Sequence, residues 1–282
     1  MKKLKAILLL LVLCFLIFAL MGPKWGFKWH EVKRQGIDII VAIDTSRSML
    51  AQDVKPNRLE RSKLAVEELL DLLQGDRIGL VAFAGGSFLQ CPLTLDYGAL
   101  SIALSAVDTE LIPRGGTSIN GAIRTAIKAF EGKAKKYKAL ILITDGEDHE
   151  GDPEKAAEEA SEQGIKIFCV GVGTKDGELI PVMDEMGNVI FLKDNKGQVV
   201  KSSLDESSLQ KIALKTGGGY VRASGAEYGL DLIYNEKIAN MEKRDLESKL
   251  QKRYEERYQI PVIIALGLIC MEIFVSDRRR RV

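Results

Sequence analysis

The sequence has few histidines, few cysteines and almost no net charge, and each shortage excludes a class of function. Two histidines, His30 and His149, leave little material for a histidine-based catalytic triad or a zinc site. The net charge of +1 gives no overall field that attracts nucleic acid, so we expect no nucleic-acid partner. Cys91 and Cys169 lie far apart and outside any C-x-x-C pattern, which favours buried free thiols over the alternative, a disulfide between them.

The overall composition is that of a globular protein. Hydrophobic residues make up 46% of the chain and charged residues 28%, which is typical of folded rather than disordered sequences. A length of 282 residues gives room for one large domain or two small ones. The sequence therefore predicts a folded middle region, with strongly apolar segments near both ends.

The first apolar segment covers residues 4–21 and contains one charged residue, Lys5. Its length is close to the minimum for crossing a membrane, which takes about 17–25 residues. A secretory signal peptide is the alternative, but the end of the segment offers no clean small-x-small cleavage site, so an uncleaved transmembrane anchor is favoured.

The second apolar segment covers residues 260–275 and precedes a basic tail, residues 276–282, that contains four consecutive arginines. Positive residues stay on the cytoplasmic side of a membrane helix. We therefore predict a transmembrane helix at 260–275 with its tail in the cytoplasm. Two spans then place both termini inside and the middle of the chain on the extracytoplasmic, periplasmic face of the inner (cytoplasmic) membrane.

Short apolar segments alternate with amphipathic ones through the middle of the chain. Residues 37–43, 77–84, 139–144 and 165–172 are apolar and rich in β-branched residues, as buried strands are. Segments with helical spacing lie between them, the first at 58–73. The alternation predicts an α/β fold of Rossmann-like type, with a doubly wound, mostly parallel sheet covered by helices on both faces. In such sheets, ligands bind beyond the carboxyl ends of the strands.

One stretch interrupts this alternation. Residues 176–203 contain two turn signals, at 186–188 and 195–197, between short β-like segments, and we interpret them as a β-hairpin insertion. The alternation then resumes, so the domain is expected to cover residues 36–224. The charged segment that follows, residues 225–259, is interpreted as a solvated helical stalk that leads into the second span.

Oxygen-bearing side chains collect where the predicted strands end. Asp44, Ser46 and Ser48 follow the first strand, and residues two apart face the same way in an extended segment. Asp145 follows the strand at 139–144, and Thr117 lies in a Gly-Gly turn that precedes a helix. Carboxylate and hydroxyl oxygens suit Mg²⁺ and do not suit soft metals. The sequence therefore predicts a metal site at this edge of the sheet.

The same pieces resemble the metal-ion-dependent adhesion site of von Willebrand factor A domains. That site consists of D-x-S-x-S, a threonine in a G-G-T turn, and an apolar strand that ends in T-D-G. Residues 49–59, 83–85, 90–97 and 145–149 further resemble the bacterial Bat branch, which takes its name from an aerotolerance operon. The resemblance covers about residues 36–223 and includes the insertion.

The resemblance implies a set of roles and partners. Ser46, Ser48 and Thr117 are expected to contact a Mg²⁺ or Mn²⁺ ion directly, whereas Asp44 and Asp145 often act through water in the family. The family also implies an extracytoplasmic domain that works with other Bat-family membrane proteins and a MoxR-type AAA ATPase.

The donor set favours binding over catalysis. Two carboxylates and neutral hydroxyls leave a divalent ion incompletely neutralised, with a position open to an acidic residue of a protein ligand. A phosphotransferase of the haloacid-dehalogenase type also has an aspartate after its first strand, but it needs a second acid two residues later, where this chain has Ser46. We therefore predict no catalytic residues and no enzyme. A Mg-dependent phosphohydrolase-like enzyme and a purely structural membrane tether stay open as alternatives.

Overall fold

The computed structural model describes residues 2–130, 137–148, 151–184, 187–194, 196–223, 228–241 and 244–274, so the predicted tail at 276–282 lies outside the described residues. The helices, in chain order, are α1 (Lys2–Leu20), α2 (Arg58–Leu72), α3 (Tyr97–Ser105), α4 (Ile119–Ala129), α5 (Pro153–Glu162), α6 (Glu206–Thr216), α7 (Leu230–Leu232) and α8 (Gln259–Phe274). The strands are β1 (Lys24–Gly36), β2 (Asp38–Asp44), β3 (Arg77–Phe83), β4 (Ser87–Thr94), β5 (Lys138–Thr144), β6 (Ile165–Val172), β7 (Glu178–Leu179), β8 (Pro181–Met183), β9 (Val189–Phe191), β10 (Lys201–Ser202), β11 (Gly219–Ala223) and β12 (Arg244–Glu256).

Six strands form the central sheet, in the order β11-β6-β5-β2-β3-β4. All neighbouring pairs are parallel except β3 and β4, which are antiparallel. The prediction of a mostly parallel α/β sheet is therefore confirmed. In this register Asp44 lies opposite Phe83, and Ile43 lies opposite Ile143, so β2, β3 and β5 end at the same edge of the sheet.

The sheet is buried on both faces, which is why its strands are almost continuously apolar. Ile39, Val41 and Ile43 of β2 pack into one core with residues of α2 and α3, whereas Ile40 and Ala42 pack into a second core with residues of α4, α5 and α6. Burying each large aliphatic side chain contributes roughly 1.5–3 kcal/mol. This packing fixes the register of β2 and hence the position of Asp44 at its end.

The predicted insertion, residues 176–203, consists of two small antiparallel pairs. At its base β7 pairs with β10, and Leu179 lies opposite Lys201. Further out, β8 pairs with β9, and Met183 lies opposite Val189. We refer to the β8–β9 pair as the ribbon.

The two chain ends, Met1–Lys33 and Glu247–Val282, form one compact unit, and Arg34–Leu246 forms another. β1 and β12 make a two-stranded sheet, and α1 packs against α8, with Lys5 Nζ 3.4 Å from Glu272 Oε1. The two helices lie where the sequence predicts membrane spans. Among the residues that the structure describes, however, no helix combines the length and the apolarity needed to cross a membrane.

The stalk prediction needs a correction. Only the first part of residues 225–259 is helical where described, in α7 and a π-helical segment, Ile233–Ile238, whereas β12 occupies the later part. The charged composition of this segment is compatible with a helix, but pairing with a distant strand outweighs local propensity. The partner, β1, lies about 200 residues earlier in the chain, so no local periodicity could have revealed it.

Candidate metal-binding site

The D-x-S-x-S segment turns sharply where β2 ends. Asp44 Oδ1 accepts a hydrogen bond from the Ser46 backbone N–H at 2.8 Å, and the Ser46 and Ser48 hydroxyl oxygens lie 2.9 Å apart. Thr45 is held on the neighbouring strand instead, because its N–H and hydroxyl both donate to the Phe83 carbonyl. The structure therefore brings Asp44, Ser46 and Ser48 together as predicted.

A second carboxylate lies at the same edge. Asp145 follows β5, and the hydroxyl of the preceding residue, Thr144, donates to Asp44 Oδ2 at 2.6 Å. Both carboxylates are fully buried. Burial first, and then the negative charge of Asp145, raise the pKa of Asp44 to about 7, although hydrogen bonds from Thr144 and Ser46 oppose that rise. Two buried carboxylates that repel each other are unfavourable unless a cation or a proton compensates them.

Thr117 comes to this edge on a loop that is tied to the end of β3. The Ser118 N–H donates to the Ala84 carbonyl at 2.8 Å, and the Gly85 N–H donates to the Arg114 carbonyl at 3.3 Å. The approach is so close that a Cβ at Gly85 would lie 2.2 Å from the Gly115 carbonyl oxygen, so glycine is required there. Thr117 is buried, and the glycines beside it line the same cavity as Ser46.

A buried arginine holds the second carboxylate. Arg58, the first residue of α2, donates to Asp145 Oδ2 at 3.1 Å and to the Ser202 hydroxyl at 2.7 Å, and it forms a two-bond ion pair with Asp53 at 2.7 and 2.8 Å. Ser202 in turn donates to Asp145 Oδ2 at 3.0 Å. Gly173 makes room for the guanidinium, because a Cβ there would lie 2.7 Å from Arg58 Cζ.

This arrangement fits a hard divalent cation. The described residues contain no cluster of three or more His, Cys, Asp or Glu, so a metal would depend on hydroxyl ligands beside the two carboxylates. Asp44 accepts hydrogen bonds from neutral donors, the Ser46 N–H and the Thr144 hydroxyl, which leave its charge unbalanced. Oxygen donors of this kind suit Mg²⁺ or Mn²⁺. Asp44, Ser46, Ser48, Thr117 and Asp145 are thus the residues that would hold the ion.

The Arg58 network was not predicted from the sequence, although one signal was available. Arg58 shares the apolar face of α2 with Ser62, Ala65, Val66 and Leu69, all of which are buried. A cation on a buried helix face needs a carboxylate partner. The sequence could therefore have indicated an ion pair, but not its partners, which lie 5 and 87 positions away.

A cavity of about 790 Å³ opens beside this edge. The segment after β2 lines it through Thr45, Ser46 and Arg47, and the Thr117 loop lines it through Gly115 and Gly116. Three residues of β8 and the first residue of β9 line it as well. One residue of the predicted metal site, Ser46, and the ribbon of the insertion therefore line the same cavity.

Comparison with known proteins identifies the family of the central domain. Residues 38–224 match the family model of the von Willebrand factor type A domain. A UPF0353 protein of Nocardia farcinica is 32% identical over 240 residues, which cover 78% of this chain and 67% of that protein. The chain thus spans about two thirds of the length of that curated relative.

Solved structures give the same result. BatB from Bacteroides thetaiotaomicron is 39% identical, with a TM-score of 0.69 over 72% of this chain and 99% of that one. An aerotolerance-related membrane protein from Bacteroides fragilis is 37% identical, with a TM-score of 0.68 over 73% and 100%. A mussel byssus protein, proximal thread matrix protein 1, shares the fold at 20% identity and a TM-score of 0.55, over 79% of this chain and 50% of that one. That protein is described with zinc in its MIDAS motif, the abbreviation for metal-ion-dependent adhesion site. The chain described here therefore belongs to the von Willebrand factor type A domain family and is one of its Bat-like members.

Proposed function

We propose that this chain is a membrane-anchored module that binds a partner protein in a metal-dependent way, and that it is not an enzyme. One observation carries the proposal: two buried carboxylates, Asp44 and Asp145, lie at one edge of the sheet beside the paired hydroxyls of Ser46 and Ser48. When bound there, Mg²⁺ or Mn²⁺ would supply an open coordination position for a carboxylate of the partner.

The residues of the site have distinct tasks in this proposal. Asp44 and Asp145 provide negative charge that is shielded from water, which strengthens attraction to a cation. Ser46, Ser48 and Thr117 provide neutral oxygens, so the charge of a divalent ion would be balanced only by the two carboxylates. Arg58 fixes the orientation of Asp145 through a hydrogen bond and partly offsets its charge. The result is a site poised for one further anion.

The alternative, a phosphohydrolase-like enzyme, lacks the group that such chemistry requires. Ser46 stands two residues after Asp44, where a general acid or base is needed, and its hydroxyl is paired with Ser48. Arg58, the buried cation at this edge, is already paired with Asp53 and Asp145. Binding therefore explains the arrangement better than catalysis does.

The proposal includes a membrane anchor built from α1 and α8. Both helices carry large exposed apolar side chains, and the similar Bacteroides fragilis protein is described as a membrane protein. We expect the chain to stay in the membrane pellet after washing with alkaline carbonate. We also expect that protease added to the outside of spheroplasts digests the central domain. Release of the chain by carbonate, or protection of the domain, would contradict this part of the proposal.

The proposed partners are other Bat-family membrane proteins and a complex with a MoxR-type AAA ATPase, by analogy with the Bat branch. The test is crosslinking and capture from native membranes with the wild-type chain and Asp44→Asn, each with Mg²⁺ or with chelator. We expect proteins that are captured by the wild type with Mg²⁺ and by none of the other three samples. Identical captures in all four samples, with Asp44→Asn folded, would mean that the metal site does not recognise the partner.

A further inference from the structure

The ribbon β8–β9 is an exposed apolar surface beside the proposed metal site. Met183 is 78% exposed and Val189 is 67% exposed, and Ile190 and Phe191 are also exposed. Monomeric domains expose few contiguous apolar surfaces, and those beside a cavity usually bind something. The ribbon therefore needs an explanation that the metal site alone does not give.

The register of the ribbon puts apolar residues on both faces. Met183 lies opposite Val189, and Pro181 lies opposite Phe191, so these four share one face. Val182 lies opposite Ile190 and shares the other face with it. Pro181, Met183 and Val189 of the first face line the cavity that Ser46 also lines, and Val182 of the other face lines it as well.

The base of the insertion is fixed to that edge. Ser202 in β10 donates to Asp145 Oδ2 and accepts from Arg58, and the Ser203 N–H donates to Glu147 Oε1 at 2.8 Å. Asp53 also holds the chain that enters the insertion, because it accepts from the Thr174 N–H at 2.9 Å. The insertion is thus joined to Asp145, one of the proposed metal ligands, by a buried hydrogen bond from Ser202.

The charged residues of the cavity favour an acidic occupant. Arg47 and Arg114 are exposed and line the cavity from the loops that carry Ser46 and Thr117, whereas Glu110 provides one negative charge. Two cationic side chains and one anionic side chain attract a carboxylate, and the ribbon side chains that line the cavity are all apolar. One segment of a partner that carries both an acidic and an apolar side chain would satisfy both groups of side chains.

We propose that the cavity binds an extended peptide segment of a partner protein, in which an aspartate or glutamate is accompanied within a few residues by large apolar side chains. The acidic residue reaches the metal-binding edge, and the apolar residues pack on the ribbon. This inference rests on the proposed function, because the acidic residue needs the metal site. The inference adds a second element of recognition to that function, namely apolar contacts between the partner and β8 and β9.

The test uses the purified full chain and a random twelve-residue peptide library displayed on phage. Phage bound in the presence of Mg²⁺ are eluted with chelator and sequenced. The variant is the double substitution Met183→Ser and Val189→Ser. Its matched control is Ile102→Ser and Leu214→Ser, whose side chains are 74% and 79% exposed and do not line the cavity.

We expect peptides eluted from the wild type and from the control to be enriched in an acidic residue accompanied by large apolar ones. For the ribbon variant, the acidic residue should persist in the selected peptides and the apolar enrichment should fall at least about tenfold. Met183 and Val189 would become buried when a peptide binds, and losing two such apolar contacts costs about 1.4 kcal/mol or more. Equal apolar enrichment for the ribbon variant and the wild type would overturn the inference and leave the proposed function standing. An absence of acidic enrichment from the wild type would overturn both.

Discussion

Replacing Asp44 with asparagine is expected to weaken binding of Mg²⁺ by at least about 1,000-fold, because a carboxylate attracts each unit of cationic charge at about 4 Å by roughly 4 kcal/mol near a protein surface. The substitution keeps the shape of the side chain. Its Oδ1 can still accept from the Ser46 N–H, and the amide can donate to the Thr144 hydroxyl, which reorients. A loss of metal binding would thus reflect the lost charge rather than a changed fold.

The same variant should be more stable than the wild type when metal is absent. The raised pKa of Asp44 means that the folded chain keeps that proton to a higher pH than the unfolded chain does. The free energy of unfolding of the metal-free wild type should therefore fall as the pH rises from about 3.8 to about 7, and the loss should be complete above that window. Asp44→Asn has no carboxylate to titrate there, so its stability should not include this decrease.

Two measurements check these results. Calorimetric titration with Mg²⁺ gives the affinity of the wild type and of Asp44→Asn, and thermal unfolding in chelator at pH 5 and pH 8 gives their stabilities. The wild type should lose stability relative to the variant between the two pH values, and Mg²⁺ should restore it at pH 8. Equal affinities in two folded proteins would remove Asp44 from the metal site.

Replacing Arg58 with methionine is expected to lower the free energy of unfolding by about 3–5 kcal/mol, the usual result of removing one partner from a buried ion pair. Methionine keeps much of the apolar stem but none of the donors. Asp53 would lose both hydrogen bonds of its ion pair, and Asp145 would lose its cation while it stays buried beside Asp44. That loss is a large fraction of the roughly 5–15 kcal/mol that stabilises a typical domain.

Arg61→Met, on the same helix, is the matched control for this experiment. Arg61 pairs with Glu68, which is largely exposed, and its Cζ lies 5.7 Å from the centroid of the Tyr228 ring. Its replacement should cost about 1 kcal/mol or less, because an ion pair with a solvent-exposed carboxylate contributes little and methionine keeps much of the apolar stem. Urea unfolding of both variants in the presence of chelator separates the two cases. Similar losses for Arg58→Met and Arg61→Met would mean that the buried network does not hold the site.

The central sheet could be predicted from the sequence because its strands are buried on both faces. β2, β3, β5 and β6 are short apolar segments between amphipathic helices, and that alternation is characteristic of a parallel sheet. β4 gave no such signal, since it is an edge strand with mostly half-buried residues and a proline, Pro92. The pairing of β1 with β12 depends on a contact between distant segments, which local patterns do not encode.

The site could be predicted in part for a related reason. The polar residues after β2 and β5 stand out because they directly follow apolar strands, and parallel strands bring their carboxyl ends to one edge. Arg58 begins a helix and has no such marker, and its partners Asp145 and Ser202 come from distant parts of the chain. The apolar ribbon was likewise recognisable as an insertion, but its place on the cavity wall follows only from the fold.

A crystal structure of the full chain grown with Mn²⁺, with anomalous diffraction data, would locate the metal ion. We expect one strong anomalous peak at the carboxyl edge of the sheet, bounded by Asp44, Ser46, Ser48, Thr117 and Asp145, with a water molecule or a carboxylate in the remaining position. The same crystals of Asp44→Asn should lack that peak. A wild-type map without a peak at this edge, or with its strongest peak elsewhere on the domain, would mean that these residues are not the metal site.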